Sequence, residues 1–166
     1  MTYHAPYEQC YRTPLPKEIF RKDADFDEIE SQLLTVMRLY FQAFAAPESH
    51  AWIGAMDWAE AQFGPTQGPI IAARVLAALM GVRRTRQSVF RFSSPTCPDC
   101  AAIVTEHERR FMAAVCAVRR GQVGAAQTEL MMLCEGNDTG RTIDALKALR
   151  AVLPNVVQPQ DQNAHV

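Results

Sequence analysis

"TEHERRFMAAVCAVRRGQVGAAQTELMMLCEG", residues 105–136, decides the fold. Thr105 and Glu108 stand at the spacing of a capping box, in which a side chain and a backbone N–H of the first turn satisfy each other. Phe111, Met112 and Cys116 then recur at helical intervals, which buries one face. Arg119 and Arg120 fall in the last turn, where cations meet the negative end of the helix dipole, and Gly121 follows as the stop. The helical pattern restarts almost at once in "QVGAAQTELMML". Two helices joined by so short a turn must lie antiparallel as a hairpin, which brings residue 134 roughly level with residue 108.

Upstream of the hairpin the periodicity is again helical. Phe26, Ile29, Leu33, Val36, Met37, Tyr40, Phe41 and Phe44 make a buried stripe, with Asp25 or Asp27 as cap and Glu28 or Glu30 three residues on. "APESHAWIGAMDWAEAQFG" predicts a second helix from Pro47 to Gly64, with Trp52, Met56, Ala59 and Phe63 facing inward. "PTQGP" reads as a loop. Pro69 opens a third helix that Gly81 closes. "RRTRQSVFRF", residues 83–92, is compatible with either a short helix or an extended piece. Downstream, Asp138 or Thr139 caps a last helix through Leu153, and Pro154 ends it.

These elements predict an all-α fold, a compact bundle of six or seven short helices with a C-terminal helical hairpin. Residues 1–24 read as an extended N-terminal arm with anchors at Tyr7, Tyr11, Leu15 and Phe20. Residues 25–153 form a single all-α domain, and 154–166 a flexible C-terminal tail.

At 166 residues the chain is long enough for one domain with a core, and 48% apolar against 21% charged residues indicates a globular protein. A net charge of -1 gives no overall basic field for nucleic acid. The first residues hold no apolar signal core and no run is long enough to span a bilayer. The expectation is therefore a cytoplasmic protein without a membrane partner. Lysine occurs only at 17, 22 and 147 among many arginines and alanines, a composition of GC-rich bacterial genomes.

The chemistry-bearing residues are few. Cys97 and Cys100 have the C-x-x-C spacing that lets two thiolates share one tetrahedral metal. The hairpin would bring Cys134 and His107 toward the same end, so Cys97, Cys100, His107 and Cys134 form a candidate Cys3His zinc site. Against it, one C-x-x-C pair without a second is a weak zinc signal, Ala101 stands where a knuckle has glycine, and His107 beside Glu106 and Glu108 also reads as a solvated side chain. A second reading is a thiol-redox protein: Pro98 at the first helical position would place Cys97 at the N-cap, where the dipole activates a thiol. The sheet that a thioredoxin-like enzyme needs is not predicted.

A third reading is a DNA-binding transcriptional regulator that uses a helix-turn-helix-like segment, residues 74–91. Ala77, Gly81, Val82 and Phe90 fit the pattern, and Gln87 falls where an apolar anchor belongs. Arg83, Arg84, Arg86, Gln87 and Arg91 would contact phosphates and bases, or else an acidic partner protein. No phosphate-binding loop, dinucleotide fingerprint, nucleophile elbow or HExxH occurs, so a conventional enzyme is not expected. The leading expectation is a non-enzymatic bacterial regulatory or adaptor protein that acts through a helical surface on a protein partner or on its own copies.

Overall fold

The computed structural model describes residues 12–154. Tyr7, Tyr11 and the expected tail beyond Pro154 lie outside the described residues. The chain runs through α1 (Glu28–Ala45), α2 (Ala51–Thr85), α3 (Pro98–Ala101), α4 (Glu106–Arg119), α5 (Val123–Leu133) and α6 (Gly140–Arg150). A two-residue antiparallel ladder joins β1 (Ile19–Phe20) to β2 (Ile103–Val104), with Ile19 opposite Val104. The fold is a compact all-α bundle, as expected.

Asp27 and Glu30 form the capping box of α1: Glu30 N donates to Asp27 Oδ1 at 2.7 Å, and Asp27 N donates to Glu30 Oε2 at 3.0 Å. Of the expected stripe, Leu33, Val36, Met37, Tyr40 and Phe41 are buried, as is Leu34, while Phe26, Ile29 and Phe44 are only partly buried. The hairpin also forms as expected. Thr105 and Glu108 cap α4, and Gly121 takes the left-handed conformation (φ 78) between α4 and α5.

The middle of the chain corrects the sequence reading. Residues 65–69 are helical, and α2 has two limbs meeting at Gly64, which is held at φ 85 and ψ 163. Pro65 opens the second limb, where its missing N–H costs little. A Cβ on Gly68 would lie 2.4 Å from Glu60 Cα, although eight residues of straight helix span about 12 Å, so the limbs fold sharply together. Gly81 does not end the helix. It lies under α6, where a Cβ would come 2.5 Å from Thr142 Oγ1, and the second limb continues to Thr85. Trp52 was expected in the core and is half exposed. Ala55 and Ala59 are the buried residues of that limb, and their small size lets it lie close against α1.

Two buried ion pairs tie α1 to α4. Arg38 is 1% exposed and Glu108 is fully buried. Arg38 Nε donates to Glu108 Oε1 at 2.7 Å and Nη2 to Oε2 at 3.0 Å. The rest of the guanidinium donates to the carbonyls of Ala101 (2.7 Å) and Ile103 (2.5 Å). Glu108 also accepts from the N–H groups of Ser93 (3.0 Å) and Thr105 (2.8 Å). At the other end, Arg119 Nη1 donates to Asp27 Oδ2 at 2.7 Å and to Glu30 Oε1 at 2.8 Å. Because Glu30 meets Arg119 while Arg38 meets Glu108, the two helices run antiparallel. Glu108, one of the charges that open α4, is thus buried at the centre of this network.

Candidate partner-binding surface

The segment after Thr85 carries the aromatic and basic residues of "RRTRQSVFRF". It is not a second helix: α2 ends at Thr85, Arg86 is extended (ψ 131), and no helix begins before α3. The helix-turn-helix expectation for 74–91 therefore fails on geometry. Residues 74–85 are continuous helix, and the turn expected at Gly81 is replaced by the contact with Thr142. The reason lies in alternate residues. Phe90 and Phe92 both reach Phe41, with ring centroids at 4.1 Å and 5.6 Å, whereas Val89 and Arg91 between and beside them are exposed. That period of two is extended chain.

Side chains of other elements hold this segment in place. The Glu135 carboxylate accepts from Gln87 N at 2.9 Å and Ser88 N at 3.3 Å. Glu135 sits in the left-handed region (φ 59), an uncommon position for a non-glycine residue that aims the carboxylate at those donors. The Ser88 hydroxyl, followed by the Gln87 amide, holds that carboxyl below the usual carboxylate range. Arg86 donates to the carbonyls of Leu133 and Ser88, and Asn137 Nδ2 donates to Thr85 O at 2.9 Å. Arg91 N donates to His107 Nδ1 at 2.8 Å, and Thr105 Oγ1 donates to Arg91 O at 2.8 Å. Ser93 N ends in the Glu108 carboxylate.

The result is a pocket of about 290 Å³ floored by Phe41, Phe44, Phe90 and Phe92 and edged by Arg83 and Val89. The Arg83 guanidinium lies 4.1 Å from the Phe44 ring centroid. No carboxylate lines the pocket. Arg83, Arg84 and Arg91 have no carboxylate within ion-pair distance among the described residues, whereas Arg86 has Glu135 at 3.7 Å. Val89 is 83% exposed, the most exposed large apolar side chain among the described residues. Three other grooves among the described residues are larger. One of about 640 Å³ runs from Glu28 past Phe63 to Pro154, one of about 550 Å³ lies between Asp25, Cys116 and Glu129, and one of about 630 Å³ lies between Phe20, Lys22, Phe26 and Ala102. All three contain a carboxylate, including Asp25 beside the phenylalanines and Lys22 of the third.

The four candidate metal ligands do not converge. Among the described residues no group of three His, Cys, Asp or Glu side chains could hold a metal ion. Both His107 nitrogens face donors, Arg91 N and Arg86 Nη2, the latter at 3.1 Å, and a guanidinium stands where a cation would have to bind. Burial, and then the Arg86 charge, push the His107 pKa down. Cys134 is fully buried, and burial pushes its thiol pKa up. As placed among the described residues, these four do not fit a zinc centre. Cys97 does cap α3, with Pro98 at its first position and Cys100 N donating to Cys97 Sγ at 3.5 Å. α3 has four residues, and the neighbouring ladder has two residues per strand, which is not the sheet a thioredoxin-like site requires. Cys116 is buried as expected for a core residue, and burial with the Glu30 carboxylate pushes its thiol pKa well up.

Among the described residues no helix is long and apolar enough to cross a membrane. Of the residues expected to bind DNA or a partner, Arg86 is committed to the interior. Arg83 packs on the pocket, Gln87 is pinned through its backbone, and Arg84 and Arg91 are exposed. The sequence reading missed the pocket floor and Glu135. The signal available for the former was the phenylalanine alternation at 90 and 92. No protein-family model, curated protein or solved structure matches the chain.

Proposed function

We propose that the chain is a non-enzymatic bacterial regulatory or adaptor protein that engages a protein partner through the surface formed by residues 83–92 and the end of α1. The observation that carries this reading is Val89. An apolar side chain is held out in water on a segment fastened from both sides by Glu135, His107, Thr105 and Glu108. Such fastening reduces the entropy lost on association, because the contact surface is already ordered. An exposed apolar side chain at the edge of an aromatic pocket also supplies the desolvated centre that protein interfaces use, with arginine at the rim.

Site-directed photo-crosslinking in cells tests this. A benzophenone side chain placed at Val89 should give one discrete adduct that disappears with Arg83→Glu. The same probe at the exposed Asp144 of α6 should give none. Equal patterns at 89 and 144, or no adduct at 89, would sink the reading.

A further inference from the structure

We infer that the pocket floored by Phe41, Phe44, Phe90 and Phe92 receives an apolar side chain from an acidic peptide segment of the partner. The inference rests on the adaptor reading and specifies the chemistry of what binds.

The first ground is charge complementarity. The chain is close to neutral overall, yet the pocket lining contains no carboxylate, and of its two arginines Arg86 is paired with Glu135 while Arg83 is not. Arg83 and Arg91 have no acidic partner among the described residues, and Arg84 adds a third unopposed charge beside Arg83. Arg38, Arg110, Arg119 and Arg120 each have a carboxylate within 4 Å, whereas Arg74, Arg109, Arg141 and Arg150 also have none among the described residues, so what marks Arg83 is an unopposed charge at the edge of an aromatic pocket without a carboxylate. Val89 and Arg91 are two apart in extended chain, so both project to the same side. A ligand reaching Val89 is thus beside the Arg91 cation. An acidic segment gains from each of these cations both in encounter rate and in orientation.

The second ground is the pocket itself. Its volume, about 290 Å³, is at the small end for ligand sites and suits one or two aliphatic or aromatic side chains. A nucleic acid is the rival occupant of a basic, aromatic surface, because bases stack on open ring faces. Here the rings cover one another. Phe90 lies against Phe41 with only 12° between planes, Phe44 meets Phe41 edge-on, and Arg83 occupies a face of Phe44. These contacts leave an apolar cleft and not a stacking platform.

The test uses the full chain and three fluorescent probes of equal length. They are a peptide with leucine and phenylalanine flanked by Asp and Glu, the same peptide with Asn and Gln in place of the acids, and a single-stranded oligonucleotide. The acidic peptide should bind. Its affinity should fall with added salt and by on the order of tenfold in Arg83→Glu/Arg91→Glu. Val89→Asp should weaken it by a similar factor, with melting temperatures unchanged. Equal binding of the amide peptide, tighter binding of the oligonucleotide, or no peptide binding would each overturn the inference. If the peptide fails while the Val89 crosslink persists, the adaptor reading stands and the acidic ligand is wrong. If both fail, both fall.

Discussion

Arg38 and Arg83 belong to neighbouring helices and have opposite surroundings. Arg38 is in the core, with all three nitrogens of its fork donating to Glu108 and to two carbonyls. Arg83 lies on a phenyl ring at the surface, with no carboxylate beside it. The same contrast holds for whole regions. Between α1 and α4 the charges are sealed and paired, so they determine which helix meets which and in what register. Around residues 83–92 apolar and cationic groups stay exposed on a fastened segment, which is the surface we propose for a partner.

The comparison breaks most visibly at Arg38. Arg38→Met strips the buried Glu108 carboxylate of its counter-charge, and a loss of about 3–5 kcal/mol in urea unfolding is expected. Replacing both partners by methionine should recover most of it, which would show that the pair specifies register more than it stabilises. Arg119→Met should be milder, about 1–3 kcal/mol. Arg119 Nε and Nη2 have no partner among the described residues, and Arg120 Nη2 already stands 3.7 Å from Glu30 Oε1. A cost equal to that of Arg38→Met would contradict this ranking.

His107 lies on the seam between the two regions. A neutral imidazole offers one acceptor nitrogen, and a second proton removes it. Protonated His107 would face the Arg91 N–H and the Arg86 guanidinium with donors on both sides, with the Arg110 charge adding to the repulsion and only Glu106 opposing it. Its pKa is lowered in the folded chain, so the unfolded chain takes up the proton first as pH falls. The contribution to stability is therefore complete above the ordinary histidine value. It is lost as pH falls below that value toward the folded one. The unfolding midpoint should decline in this range and flatten in His107→Gln; parallel curves for the two proteins would remove His107 as the cause. The smallest effect on stability belongs to the surface itself. Val89→Asp and Arg83→Glu should each stay within about 0.5 kcal/mol of the parent in the same unfolding assay, although both are expected to weaken binding of the proposed partner.

Much of the architecture was legible because local chemistry wrote it. The Asp27–Glu30 and Thr105–Glu108 boxes, the turn at Gly121 and the stripe of α1 need only neighbours in sequence. The elbow at Gly64 and the continuation through Gly81 were misread because glycine stops a helix in one setting and admits a neighbouring helix in another. Only Thr142, sixty-one residues away, shows which applies. The buried pairs left a trace that was not used. Glu30 and Arg38 lie in the stripe of Leu34 and Phe41, and Glu108 and Arg119 in that of Met112 and Val115. Charged residues at core positions on two helices, acid first and base second on both, are what an antiparallel ionic seam looks like in sequence. The pocket was less legible, because it needs α1, α2 and the 86–92 segment together. Only the arginines and the phenylalanine alternation pointed to it.

Glu30 and Glu108 each close the first turn of their own helix while holding an arginine of the other. Helix ends ordinarily fray at little cost and exchange their amide hydrogens quickly. Here neither first turn opens without stripping a buried arginine of its counter-charge. Fraying of α1 and α4 is thereby coupled to separation of the two helices. The amides of Glu30 and Glu108 should exchange at the slow rate of whole-domain opening, and the two helix beginnings should behave as one cooperative unit.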